Sequence, residues 1–297
     1  MVATSPYEAL LRRVPVREHA TPVLGTSTAW WEYGPSDAAV TLVLVHGFRG
    51  DHHGLEPVVA HLRGYRLIAP DLPGFGTSEP LVDGHDIEGY SRWLRAFVET
   101  VAPGGRAVVL GHSFGSIVAA TAVADGLETP SLILVNPIAA PALAGPRGVL
   151  TRLAVFYYWV AAALPERLGF ALLRNRLIVR VMSEAMAKTR ERSLRAWIHA
   201  QHQLYFSGFA SRRVVLEAFR ASVSNDVSMV AGRIRVPTLL VAAERDDITP
   251  VTAQHRLTTL FADAELEIIP SVGHLIHYEV PEAAAGYIES FLTRRPA

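Results

Sequence analysis

A short apolar run, AVVL at 107–110, leads directly into Gly111-His112-Ser113-Phe114-Gly115 and then into FGSIVAATAVADG at 114–126. No other segment restricts the fold as strongly. The run reads as a buried strand and the small, β-branched stretch as a packed helix, so the chain must turn from one to the other within about two residues. So sharp a turn forces Ser113 into a strained backbone conformation and leaves no room for Cβ atoms at 111 and 115. Its hydroxyl is then expected at the carboxyl end of a sheet, beside the positive end of a helix. A bare GxSxG is only moderately specific, and a serine in an ordinary glycine-flanked turn is the plain alternative. The strand before it and the helix after it argue for the sharp turn.

The same rhythm extends on both sides. Strand-like runs lie at 40–46 (VTLVLVH), 65–70 (YRLIAP), 131–137 (SLILVNP), 237–243 (PTLLVAA) and 264–270 (AELEIIP). Helical spacing appears at 55–62, from Ile87 to Val101, at 252–261 and at 281–292. Alternation of this kind predicts a parallel sheet covered by helices. It stops at Pro137, and 139–231 reads as helices alone. We therefore expect an α/β core from 1–138 and 232–297, with a helical cap inserted at 139–231. The insert carries 13 basic and 5 acidic residues, or +8. The rest carries 28−13=15 basic and 28−5=23 acidic, or −8. An ordinary solvated face is the plain reading of that charge; attraction of an anionic substrate, lipid surface or partner is the sharper one.

A serine needs a base, and the base needs an orienting acid. Among 12 histidines, His274 stands in PSVGHL just after the last strand, where α/β proteins place site residues. His277 is its rival and reads as packing. His46 reads as a structural hydrogen-bonding residue, and His52 and His53, beside Asp51, as a surface loop rather than a metal site. The strand at 237–243 ends in ERDDITP, so Asp246 and Asp247 are both candidate acids, with Asp247 or Thr249 expected to cap the following helix. Asn136, after the strand that follows the Ser113 helix, cannot carry the charge. Oxyanion donors are expected from the backbone N–H groups of Phe48 and Phe114.

Several pieces together resemble the α/β-hydrolase superfamily: His46-Gly47-Phe48, DLPGFGTS at 71–78, GHSFG at 111–115, ERDDITP at 244–250 and Gly273-His274. The resemblance implies a mostly parallel, eight-stranded sheet with a helical cap. It also implies Ser113, Asp246 and His274 as nucleophile, acid and base, Asp246 because Pro250 follows four residues later. Ser113 argues against the aspartate-nucleophile dehalogenases and epoxide hydrolases. The chain is also similar to meta-cleavage-product C–C hydrolases, but Phe48-Arg49-Gly50 and Leu275 depart from their pattern.

The expected activity is cleavage of an ester-like carbonyl compound, with Phe156, Tyr157, Trp159, Trp197 and Tyr205 of the cap forming an apolar substrate site. C–C hydrolysis of a dienoic acid held by Arg174, Arg176 or Arg180 is the alternative. A ligand-binding receptor or inactive scaffold on the same fold is the alternative from another class. The partner expected is a small molecule, with no cofactor or metal implied. A net charge of zero speaks against nucleic acid. The absence of cysteine excludes a thiol nucleophile and zinc–thiolate sites. The longest apolar stretch, 153–164 (LAVFYYWVAAAL), is too short to span a bilayer, so peripheral contact through the cap is the only membrane role expected. With no secretion signal read at the N-terminus, a cytoplasmic location is expected.

Overall fold

A computed structural model describes residues 4–140 and 148–295. Residues 141–147, part of the expected cap, lie outside the described residues. Strands β1 (Val16–Val23), β2 (Thr26–Tyr33), β3 (Thr41–Val45), β4 (Arg66–Pro70), β5 (Ala107–His112), β6 (Leu132–Val135), β7 (Thr238–Ala243) and β8 (Ala264–Ile269) form one sheet. Their order is β1-β2-β4-β3-β5-β6-β7-β8. β1–β2 and β2–β4 pair antiparallel, and all other neighbours pair parallel. The hairpin β1–β2 lies outside the strand-like runs of the sequence. It closes through Leu24-Gly25, both at positive φ (49° and 80°), with Val23 opposite Thr26. That is the backbone a two-residue hairpin loop requires.

The helices are α1 (Glu8–Leu11), α2 (Glu56–Val59), α3 (Ile87–Val101), α4 (Phe114–Ala124), α5 (Gly148–Ala163), α6 (Glu166–Leu173), α7 (Arg176–Met186), α8 (Arg192–Tyr205), α9 (Arg212–Ser224), α10 (Val251–Thr258), α11 (Ile276–Glu279) and α12 (Pro281–Arg294). α3 spans its expected residues because Asp86 caps it, accepting from the Gly89 N–H, and Pro103-Gly104 follows its end. α2 is shorter than the expected 55–62.

Successive side chains on β3 and β5 go to opposite faces, as the period of a strand demands. Val43, Val45 and Val109 join a core under α3, α4 and α9. Leu42, Leu44, Val108 and Leu110 join a second core under α2 and α12. α5 to α9 all fall between β6 and β7, inside the expected insert.

One seam ties that helical insert to the sheet. Phe75 bridges Phe209, the Gly76 N–H donates to Gly208 O at 2.7 Å, and the Ala210 N–H donates to Gly74 O at 2.9 Å. Gly76 has φ 54°, and a Cβ there would lie 2.0 Å from Asp71 Oδ2. The carboxylate occupies that space because it accepts from the N–H groups of His52 and Thr77, both at 2.9 Å. The glycines of DLPGFG thus serve a close backbone approach.

Candidate active site

Ser113 stands between β5 and α4 at φ 53°, ψ −118°. The strain is over-determined by its neighbours. A Cβ at Gly115 would meet Val45 O at 2.2 Å, and one at Gly111 would meet Gly115 O at 2.3 Å. Ser116 adds a brace: its hydroxyl donates to Ser113 O and accepts from the Ile138 N–H at 3.2 Å. The Ser113 side chain remains half-buried.

The loops after β7 and β8 bring Asp246 and His274 to it. His274 Nε2 lies 2.8 Å from Ser113 Oγ, and Nδ1 lies 2.8 Å from Asp246 Oδ2. Both Asp246 and His274 are buried. Asp246 Oδ1 accepts from the Ile248 and Thr249 N–H groups at 2.7 and 3.2 Å, and Asn136 Nδ2 donates to Oδ2 at 3.1 Å. Burial alone pushes this carboxyl up; His274 and the two backbone donors outweigh it and hold the carboxyl below its ordinary range. Asn136, at the alternative acid position, is therefore a hydrogen-bond donor to the carboxylate.

The other polar candidates lie elsewhere. Asp247 pairs with Lys188, the only lysine in the chain. Neither Asp247 nor Thr249 caps α10: the N-cap position is Pro250, and Thr249 spends its N–H on Asp246. His277 packs its ring 4.0 Å from that of His112, away from the serine hydroxyl that His274 takes. His46 is structural, its Nε2 accepting from the Leu72 N–H at 2.8 Å.

The surface loop expected at His52 and His53 is corrected: His52 is buried. Trp31, His52, His53 and Tyr205 stack in a column with centroid spacings of 3.3, 3.9 and 4.0 Å. Asp51, His52 and His53 hold potential metal-ligand atoms within 4.8 Å of one another. However, His52 Nδ1 is bonded to Asp71 at 2.8 Å and His53 Nδ1 to Asp51 at 3.1 Å. The stacked rings pack β2 against α8.

The β3–α2 loop presses against the serine. A Cβ at Gly47 would lie 3.3 Å from Ser113 Cβ, so Phe48 enters beside it. Among the described residues, neither the Phe48 nor the Phe114 N–H has a hydrogen-bond partner. The Phe48 ring is surrounded by Phe75, Phe114, Tyr158 and Phe219, at 6.0 to 6.3 Å.

Most of the aromatic residues expected to bind substrate are placed differently. The helical period turns Tyr158 inward, while Phe156 and Trp159 are 59% and 63% exposed. Tyr157 is half-buried and donates to Leu172 O at 3.1 Å. Trp197 packs with Leu275 and Tyr278, and Tyr205 closes the histidine column. Arg174, Arg176 and Arg180 are exposed; Arg176 binds Gln203, Arg180 binds Glu184, and Arg174 lies over the Phe170 ring.

Arg49, which the sequence offers only as a departure from the meta-cleavage pattern, has a structural role. It is buried at φ 64°. Its guanidinium donates to Leu173 O at 2.6 Å, Phe206 O at 2.9 Å and Tyr158 Oη at 3.3 Å. Leu173 ends α6 and Phe206 is the C-cap of α8. Two helix C-termini thus supply negative partial charge in place of a carboxylate.

The buried histidines make stability depend on pH. Burial pushes His112 down to about 3, helped by the charge of His274, and burial with His199 nearby does the same to His202. Their folded pKa values stand below the ordinary 6.5, so their contribution is present above about 6.5 and is lost as pH falls toward about 3. Each contributes a slope of ~1.4 kcal/mol per pH unit, or together ~4 kcal/mol by about pH 5. Urea unfolding at about pH 7 and pH 5 checks this; equal stabilities at the two would refute it.

The model of the alpha/beta hydrolase family matches residues 42–286. A putative carbamate hydrolase, RutD of Variovorax paradoxus, is 29% identical over 85% of this chain and 90% of its own. The 2-hydroxy-6-oxo-6-(2'-aminophenyl)hexa-2,4-dienoic acid hydrolase of Metapseudomonas resinovorans is 25% identical, over 91% and 89%. Among solved structures, an esterase from Exiguobacterium antarcticum superposes with TM-score 0.76 at 18% identity, over 93% of this chain and 100% of that one. With the family model matching residues 42–286, most of its length, the chain belongs to the alpha/beta hydrolase family.

Proposed function

We propose that this protein is a serine hydrolase that cleaves ester-like carbonyl substrates with an apolar acyl group through an acyl-enzyme. One observation carries the reading: an unbroken hydrogen-bond chain from Asp246 through His274 to Ser113 Oγ, with 2.8 Å at both links. His274 Nε2 takes the hydroxyl proton as Ser113 Oγ attacks the carbonyl carbon. The Phe48 and Phe114 N–H groups receive the developing oxyanion. His274 then gives the proton to the leaving alcohol and activates the water that releases the acid. Asp246 keeps the imidazole in the tautomer whose Nε2 can accept.

Residues 139–231 act in this reading as a cap over the site, with Tyr158 and Phe219 lining the acyl side. The exposed placement of Arg174, Arg176 and Arg180 leaves C–C hydrolysis of a dienoic acid without its expected carboxylate anchor. A fluorophosphonate probe is expected to label Ser113. Failure to label, beside a serine esterase that does, overturns the mechanism. Across linear acyl esters, kcat/KM is expected to rise about fourfold per methylene until the pocket is filled. A flat profile from acetate upward would remove the apolar acyl site.

A further inference from the structure

Helix α5 is apolar on both sides, yet among the described residues protein covers only one. Its inner side stacks Tyr158 on Phe219 at 3.8 Å and buries Ala161. Its outer side exposes Leu153, Val155, Phe156 and Trp159. Phe156 and Trp159 stand one turn apart and stack, with ring centroids at 5.9 Å. No charged residue occurs from 153 to 163. A surface helix ordinarily turns polar residues outward; one that is apolar all round belongs in a core or against lipid. An exposed apolar patch of this kind marks an interaction surface.

Charge indicates which surface. Arg152 precedes Phe156 by one turn and is exposed on the same side. The adjoining α6 exposes Arg167 next to Leu168. Neither arginine has a carboxylate partner among the described residues. They belong to the segment of net charge +8 in a chain whose remainder is −8, so the molecule is polarised with its apolar patch in the positive part. Tryptophan and arginine flanking aliphatic side chains suit the headgroup layer of a bilayer. No helix among the described residues is long and apolar enough to cross a membrane.

We propose that the outer face of α5, with the start of α6, docks on an anionic lipid surface, Phe156 and Trp159 entering the headgroup layer while Arg152 and Arg167 meet the lipid phosphates. The proposal is independent of the reaction proposed above, since it concerns binding alone. The test is flotation of the whole chain with vesicles of phosphatidylcholine, alone or mixed about three to one with phosphatidylglycerol. Binding is expected to be at least about tenfold stronger to the mixed vesicles and to fall back in high salt. The double variant F156S/W159S is expected to lose about tenfold or more, and R152A/R167A to lose the preference for anionic lipid. An unchanged unfolding midpoint shows each variant to be folded, and the lipid and salt dependence of the unaltered chain stands without them. Equal binding to both vesicles, or full binding by F156S/W159S, overturns the proposal. So does a dimer in vesicle-free solution that F156S/W159S abolishes, which would assign the face to a second copy of the chain.

Discussion

Exchanging Ser113 for alanine is expected to lower kcat on an aryl ester by about 10⁴-fold or more, with KM little changed. The hydroxyl is the group from which His274 Nε2, 2.8 Å away, would take a proton, and alanine has nothing to attack with. The fold should tolerate the change, since Ser113 already sits at φ 53° and alanine meets the same strain there. Asp246→Asn is expected to lose about 10³- to 10⁴-fold, because an amide no longer stabilises the imidazolium that forms. Burst kinetics on the unaltered chain and steady-state rates on both variants provide the measurement. Ester turnover surviving in Ser113→Ala would place the chemistry on another residue.

Arg49→Met is expected to cost about 3 kcal/mol of stability. The substitution leaves Leu173 O, Phe206 O and the Tyr158 hydroxyl without their shared donor in a dry interior. Relief from burying the guanidinium offsets only part of that loss, because two helix C-termini now face each other with nothing positive between them. The backbone strain is unaltered, since any side chain at φ 64° bears it. Arg49→Lys should recover less than half, because one ammonium cannot replace a fork that reaches three acceptors. Arg49 also adjoins Phe48, so kcat/KM is expected to fall about tenfold or more as the proposed oxyanion donor loses its register. A urea midpoint for Arg49→Met equal to that of the parent would show that the clamp holds nothing together.

Local physics reaches only part of this fold. Strands at 107–112 and 238–243, α3 and the turn at Ser113 were legible because period, capping and glycine placement act within a few residues. The first hairpin was not: β1 is mostly exposed and β2 alternates between half-buried and buried positions, so neither shows the continuous apolar run of a central strand. Its one signal was Gly25 between two stretches that carry β-branched and aromatic residues. The exposure of Phe156 and Trp159 was not legible because aromatic composition does not tell which side of a helix a partner will cover.

From the linear chain alone came a strand–serine–helix turn, the alternating rhythm of the sheet and the interruption at 139–231. Each rests on interactions between residues a few positions apart. The chain already favoured His274 over His277 and, by resemblance, Asp246 over Asp247. Only the fold brings His274 to Ser113 and Asp246 to His274, and it alone decided that two helix ends hold a buried arginine. Those contacts join residues 161, 28, 124 and 157 positions apart, and no periodicity or spacing rule reaches across such distances until the sheet order has brought the loops to one edge.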